Sequence, residues 1–173
     1  MKKIDLKRCI RNIPDFPKAG ILFKDITTLL KDAKAFKYAV EKLAEKYKGK
    51  KIDAVLSVES RGFIFGSAIA CLLGAGLVPI RKKGKLPFKT YSISYDLEYG
   101  KAGIEIHQDA LQKGSKVLLV DDVLATGGTV EAATQLVEKL GGDIRGIYFL
   151  IELLDLKGRK RLKDYTSFSL ISF

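Results

Sequence analysis

The chain has 173 residues, 47% of them hydrophobic, which suits one compact domain with its own core and excludes a disordered polybasic tail. Lys and Arg number 31 against 20 Asp and Glu, a net charge of +11, so an acidic protein is excluded and anionic partners are favoured, either nucleic acid or phosphorylated metabolites. The two cysteines, Cys9 and Cys71, make neither a C-x-x-C pair nor a disulfide framework, which points to free thiols in a reducing, cytoplasmic setting without structural zinc.

Charges run through the first twelve residues, M-K-K-I-D-L-K-R-C-I-R-N, where a secretory leader would need an apolar core. Asp32 is placed to cap a helix on which Phe36, Val40, Leu43 and Tyr47 recur at helical spacing, and Gly49 supplies its stop. Ile52 to Val58 reads as a short buried strand. Gly62 to Ile80 carries no charge and is long enough to span a bilayer. Gly74-Ala75-Gly76 divides that run into a helix ending near Leu73 and a strand from Leu77 to Ile80, so no membrane span is expected. Cys71 is expected in the core, and Cys9 in a terminal helix.

Partial alternation from Thr90 to His107 predicts a hairpin, with His107 on its exposed side and no role assigned to it. Val117 to Val120 is a further buried strand. Ala132, Leu136, Val137 and Leu140 recur as on a helix that Gly141-Gly142 closes, and Ile144 to Leu150 is another strand. Repeated alternation of strand and helix predicts an α/β fold, a mainly parallel central sheet flanked by helices, in one domain over 1–173.

The chemistry concentrates in V-L-L-V-D-D-V-L-A-T-G-G-T, Val117 to Thr129. A strand delivers two carboxylates and then a loop of small residues to the start of a helix. Gly127 and Gly128 permit close backbone approach, the first-turn amides point outward, and Thr126 and Thr129 add hydroxyls at the positive end of the helix dipole. Such a loop suits a phosphate. The acids before it would repel that phosphate unless they face another part of the same ligand, such as ribose hydroxyls or a bound cation. An isolated D-D or G-G is more often a cap or a turn; the whole ordered string is not explained that way.

This string resembles the phosphoribosyl pyrophosphate (PRPP) signature of the type I phosphoribosyltransferase family. Further segments are similar to its adenine-using members: Ile13 to Thr27, E-S-R-G-F-I-F-G (Glu59 to Gly66), R-K-K-G-K-L-P (Arg81 to Pro87), S-Y-D-L-E-Y-G-K (Ser94 to Lys101) and E-L-L-D-L-K-G-R-K-R-L near the C-terminal end. They follow the family's order over most of the chain. The resemblance implies a type I phosphoribosyltransferase fold with a small N-terminal hood over about 1–30 and a flexible lid hairpin over about 81–107. The implied reaction moves a phosphoribosyl group from PRPP to N9 of adenine, giving AMP and pyrophosphate, with Mg2+ held mainly by the substrate and no direct protein ligand.

By the same resemblance Asp121 and Asp122 hold the ribose hydroxyls, and Ala125, Thr126, Gly127, Gly128 and Thr129 hold the 5-phosphate. Glu59, Ser60, Arg61, Arg81 and Lys85 face the pyrophosphate, with a cis peptide at Glu59-Ser60. The backbone around Leu22, Phe23 and Lys24 reads adenine; some members have arginine where Lys24 stands, so a guanidinium-specific contact is not implied here. Glu98 handles the proton of the purine imidazole ring and Tyr99 helps close the lid. Lys82, Lys83 and Lys89 read as solvated neighbours that raise the local potential. A homodimer is implied; nucleic-acid and membrane partners are not. Two other readings stay open on sequence: a PRPP-binding regulatory module of the same fold, and an oxopurine-specific transferase.

Overall fold

The computed structural model describes residues 4–97 and 100–173. In chain order the elements are strands β1 (Arg11–Ile13) and β2 (Phe23–Asp25), helices α1 (Thr27–Leu30) and α2 (Ala33–Ala44), β3 (Ala54–Val58), α3 (Gly62–Leu73), β4 (Gly76–Lys82), β5 (Thr90–Leu97), β6 (Gly100–His107), β7 (Lys116–Leu124), α4 (Gly128–Lys139), β8 (Asp143–Glu152) and β9 (Ser167–Ser172). The seven-stranded sheet runs β5-β6-β4-β3-β7-β8-β9. Its five strands from β4 to β9 pair in parallel, while β6 joins β4 and β5 joins β6 antiparallel. This is the α/β fold expected from the sequence.

Alternation along the central strands sorts side chains onto two cores. Val55, Leu118, Val120 and Leu150 meet α2 and α3 on one face, while Leu56, Leu119, Ile147 and Phe149 meet α4 on the other. Asp32 caps α2 as its position in the sequence suggests, accepting from the amides of Lys34 at 2.9 Å and Ala35 at 3.1 Å. Gly74, at φ 66°, closes α3 in the left-handed conformation. Among the described residues no helix is long and apolar enough to cross a membrane.

Three expectations are corrected. Cys71 is exposed, not packed in the core. Because α3 is apolar on nearly every side, composition cannot tell which side faces inward; Gly62, Phe65, Gly66, Ile69 and Ala70 are the buried ones. His107 is half-covered, its ring edge-on to Phe88 at 6.3 Å. The strand begun at Val117 also runs on through both aspartates to Leu124.

The N-terminal segment forms a separate two-stranded ribbon, β1 with β2. Buried Asp25 staples it, accepting from Arg11 Nε, from the amide of Thr27 and from Thr27 Oγ1, each at 2.9 Å. The Thr27 amide, then the Arg11 guanidinium and the Thr27 hydroxyl, hold its carboxyl at about 2. A carboxyl depressed on folding adds stability above its unfolded value of roughly 4, and that stability is lost as pH falls through the folded value. Asp25→Asn is therefore expected to cost about 1–2 kcal/mol at neutral pH, allowing for the solvent around Arg11. In denaturant titrations the gap from wild type should close as pH falls through about 2; a gap independent of pH would show that the carboxylate charge is not what staples the ribbon.

Candidate active site

Strand order reverses between β3 and β7: the chain leaves β3 towards β4 on one side, while β7 and β8 lie on the other. In an open parallel sheet the crevice beyond the carboxyl ends of such strands is where ligands sit. A cavity of about 430 Å3 occupies that position, lined by Glu59, Ser60 and Arg61 after β3, Lys82 at the end of β4, and Asp121, Asp122, Ala125 and Thr129 from β7 and its loop. A smaller hollow of about 60 Å3 lies within Asp121 to Val130 itself. Asp121, Asp122, Ala125 and Thr129 of the PRPP signature and the E-S-R segment thus line one cavity, Thr126, Gly127 and Gly128 line the smaller hollow, and Arg81 and Lys85 line neither.

Local sequence explains the close assembly. Gly62 begins α3 against β7: a Cβ there would stand 2.8 Å from Asp121 Oδ1. Gly66 lies over Ser57, whose Oγ would be 2.4 Å from such a Cβ; Ser57 is fully buried and donates to the Val120 carbonyl at 3.2 Å. Gly127, at φ 86°, starts α4 without a side-chain cap, so the first-turn amides remain available to an anion. Thr129 Oγ1 donates to Tyr95 Oη at 3.0 Å, tying the β5–β6 hairpin to this loop.

The carboxylates are in unlike settings. Asp121 accepts from the Asp122 amide at 2.8 Å, and burial followed by the neighbouring Asp122 charge pushes its pKa well up. Asp122 is 6% exposed; burial raises its pKa and the Arg61 charge opposes that rise. Arg61 Nε stands 2.6 Å from Asp122 Oδ2, although the approach is off the axis of a good hydrogen bond. The same guanidinium lies 5.2 Å from the centre of the Phe23 ring, and Phe16 meets that ring edge-on at 5.1 Å. Arg61 therefore links the acidic wall to the N-terminal ribbon.

At the other wall the Glu59–Ser60 peptide bond is cis, as the family resemblance implied. Glu59 accepts from Arg81 Nε at 2.9 Å and from the Lys82 amide at 3.1 Å, and Arg81 also donates to the Lys85 carbonyl at 3.0 Å. Buried Glu105 orders this basic turn, accepting from the amides of Lys85 at 2.9 Å and Leu86 at 2.8 Å. Burial alone would raise the Glu105 carboxyl; the amides of the turn outweigh it and hold the group low. Lys85 is exposed.

Leu22 is 51% exposed. Lys24 points away from Phe23 along β2, with Nζ 2.9 Å from Asn12 Oδ1 and 4.0 Å from the centre of the Phe173 ring, so its side chain fixes the back of the strand. Glu98 and Tyr99 lie outside the described residues.

Sequence reasoning missed several contributors. Lys82 and Tyr95 line the cavity, although a lysine in a lysine run carries no signal of its direction. Gly158 was missed as well: a Cβ on it would lie 2.2 Å from the Ala125 carbonyl oxygen and 2.9 Å from the Gly127 nitrogen. Arg159 anchors that glycine, reaching Glu152 Oε1 at 2.9 Å and the hydroxyls of Ser167 and Ser169 at 2.8 Å each. The phosphate-type loop thus rests on the segment after β8, and a K-G-R triplet gives no periodic pattern by which to find it.

The residues fit a divalent cation delivered by its substrate better than a cation caged by protein. Among the described residues no three His, Cys, Asp or Glu side chains cluster as metal ligands, and of the three cavity carboxylates Asp122 is engaged by Arg61 and Glu59 by Arg81.

The phosphoribosyl transferase domain family matches residues 27–173. The adenine phosphoribosyltransferase of Geobacter metallireducens is 59% identical over 169 residues, 98% of this chain and 99% of that protein. The crystal structure of the enzyme of that name from Thermoanaerobacter pseudethanolicus superposes with a TM-score of 0.93 at 55% identity, covering 98% of each chain. That of Saccharomyces cerevisiae, complexed with an imino-altritol bisphosphate and adenine, gives 0.90 at 40% identity over 96% of each.

Proposed function

The chain belongs to the phosphoribosyltransferase family, and from that premise we propose that it transfers the 5-phosphoribosyl group of PRPP to N9 of adenine, forming AMP and releasing pyrophosphate. The observation that carries the reading is the Asp121-to-Thr129 segment, acids and uncapped helix amides together, set in the cavity where the strand order reverses.

In this reading the 5-phosphate sits on Ala125, Thr126, Gly127, Gly128 and Thr129, where amides and hydroxyls meet the positive end of α4. Asp121 and Asp122 accept from the ribose hydroxyls. Displacement at the anomeric carbon builds positive charge on the sugar and negative charge on the leaving pyrophosphate. Glu59, Ser60, Arg61, Arg81 and Lys85 form the side that receives that dianion, with Lys82 adding charge at the cavity wall. Arg61 has two stations: on Asp122 before substrate arrives, and on pyrophosphate once the diol takes the carboxylate. Mg2+, bound with PRPP and held mainly by substrate oxygens, supplies charge neutralisation for the leaving group.

Adenine lies against the backbone of Leu22, Phe23 and Lys24, where the chain enters β2. The Phe23 ring gives it an apolar face, and main-chain groups distinguish an amino from an oxo substituent. Glu98 takes the N9 proton, and Tyr99 with the hairpin over about 81–107 closes over the reactants as a lid, while about 1–30 serve as the hood. The setting is cytoplasmic. A homodimer is supported by the apolar residues that α3 and β4 leave exposed, Ile64, Leu72 and Leu77.

Purified protein with Mg2+ and PRPP should form nucleotide from adenine and little or none from hypoxanthine, guanine or xanthine. Nucleotide from an oxopurine alone would overturn the adenine assignment. PRPP binding without turnover of any purine would favour a regulatory module.

A further inference from the structure

At the opposite pole of the sheet, where β3, β7, β8 and β9 begin, there is a second cavity of about 510 Å3. Its charged lining is Lys46, Lys50, Lys51, Lys116 and Arg145, and Tyr47, Ile52 and Thr166 complete the wall. No carboxylate is among its lining residues. Two acids stand close by: Asp53, 3.7 Å from Lys51 Nζ and accepting from the Lys116 amide at 2.7 Å, and Asp143, 3.1 Å from Arg145 Nη1. Five cations against two acids leave the pocket strongly positive.

A cation after the last turn of α2 is expected, because helix-end carbonyls favour it. That accounts for Lys46. It does not account for Lys116 and Arg145, which reach the same cavity from β7 and β8, or for Lys50 and Lys51 from the approach to β3. Like charges gathered in one concavity repel each other, and an anion relieves the repulsion. Tyr47, in the wall, is 5% exposed and donates its hydroxyl to the Arg145 carbonyl, so no open ring face is offered to a nucleobase. The cavity is also much larger than a single phosphate.

We propose that this cavity is a second anion site, separate from the catalytic one, for a small ligand carrying two or more phosphoryl groups recognised through its phosphates. Lysine ammonium groups grip phosphoryl oxygens as point charges, and Arg145 adds a forked donor.

The test is a titration of the full chain with inorganic tripolyphosphate, read amide by amide by NMR, so that each cavity reports separately. The amides of Ile52, Lys116, Arg145 and Thr166 are expected to shift and saturate together. In the K46Q/K50Q/K51Q variant, whose three substitutions are on exposed side chains, their midpoint should rise by roughly tenfold or more, while shifts of Ala125 to Thr129 keep the wild-type midpoint. Shifts confined to Ala125 to Thr129 would overturn the proposal. So would shifts that grow linearly without saturating, or a midpoint that the triple substitution leaves unchanged.

Discussion

Replacing Gly158 with alanine is expected to weaken PRPP binding by about threefold to tenfold, although the residue lies outside the signature string. The added Cβ would sit 2.2 Å from the Ala125 carbonyl oxygen and 2.9 Å from the Gly127 nitrogen. Both are backbone atoms, so no flexible side-chain end can swing aside. The approach is reciprocal: a Cβ on Gly127 would stand 2.7 Å from the Gly158 carbonyl oxygen. Gly158 cannot retreat easily either, since Arg159 is bound to Glu152 and to the Ser167 and Ser169 hydroxyls. The clash must lift the loop, re-aiming the amides meant for the 5-phosphate, and overpacking of this kind costs about 1–3 kcal/mol, divided between stability and ligand affinity. Calorimetric titration with PRPP, alongside a thermal melt, measures both parts. Wild-type PRPP affinity together with an unaltered melting temperature would show that the loop does not rest on Gly158.

That prediction was not legible in the sequence, and the reason is physical. Strands and helices announce themselves through periodic burial: Gly62–Leu73 forms the helix its composition and closing glycine foretell, and Asp32 caps α2 by a local contact. The phosphate-type loop is likewise contiguous, so its acids, glycines and hydroxyls could be read as one unit. Gly158, Tyr95 and Glu105 act through space. Each comes from a segment distant in sequence, and its meaning depends on which backbone it touches. The ribbon of β1 and β2 and the edge strand β9 were missed for a related reason: a short strand beside few partners has little alternation to read. Burial failed as a guide where a helix is apolar all round, as at Cys71.

Asp121→Asn should make the unliganded protein more stable and a poorer enzyme. The Asp121 pKa is driven up by burial and by the adjacent Asp122 charge, so the unliganded fold disfavours the charged form of this carboxyl. Linkage fixes the sign: a carboxyl raised on folding adds stability below its unfolded value, and that stability is lost as pH rises through the folded value. Asparagine removes the charge, keeps an oxygen to accept from the Asp122 amide, an interaction of 2.8 Å in this structure, and adds no volume against Gly62. A gain of the size that single stabilising substitutions give, about 0.5–2 kcal/mol, is expected near neutrality, or roughly 1–8 °C in melting temperature for a domain of this size. The gain should vanish below about pH 4, where the unfolded carboxyl is itself protonated. Losing a charged acceptor for the ribose diol removes about 1.5–3 kcal/mol of binding, so kcat/KM for PRPP should fall by about tenfold to a hundredfold. A variant that melts lower than wild type at neutral pH, or one whose advantage grows in acid, would mean that Asp121 supports the fold and is not a charge held against the fold's preference for the sake of the ligand.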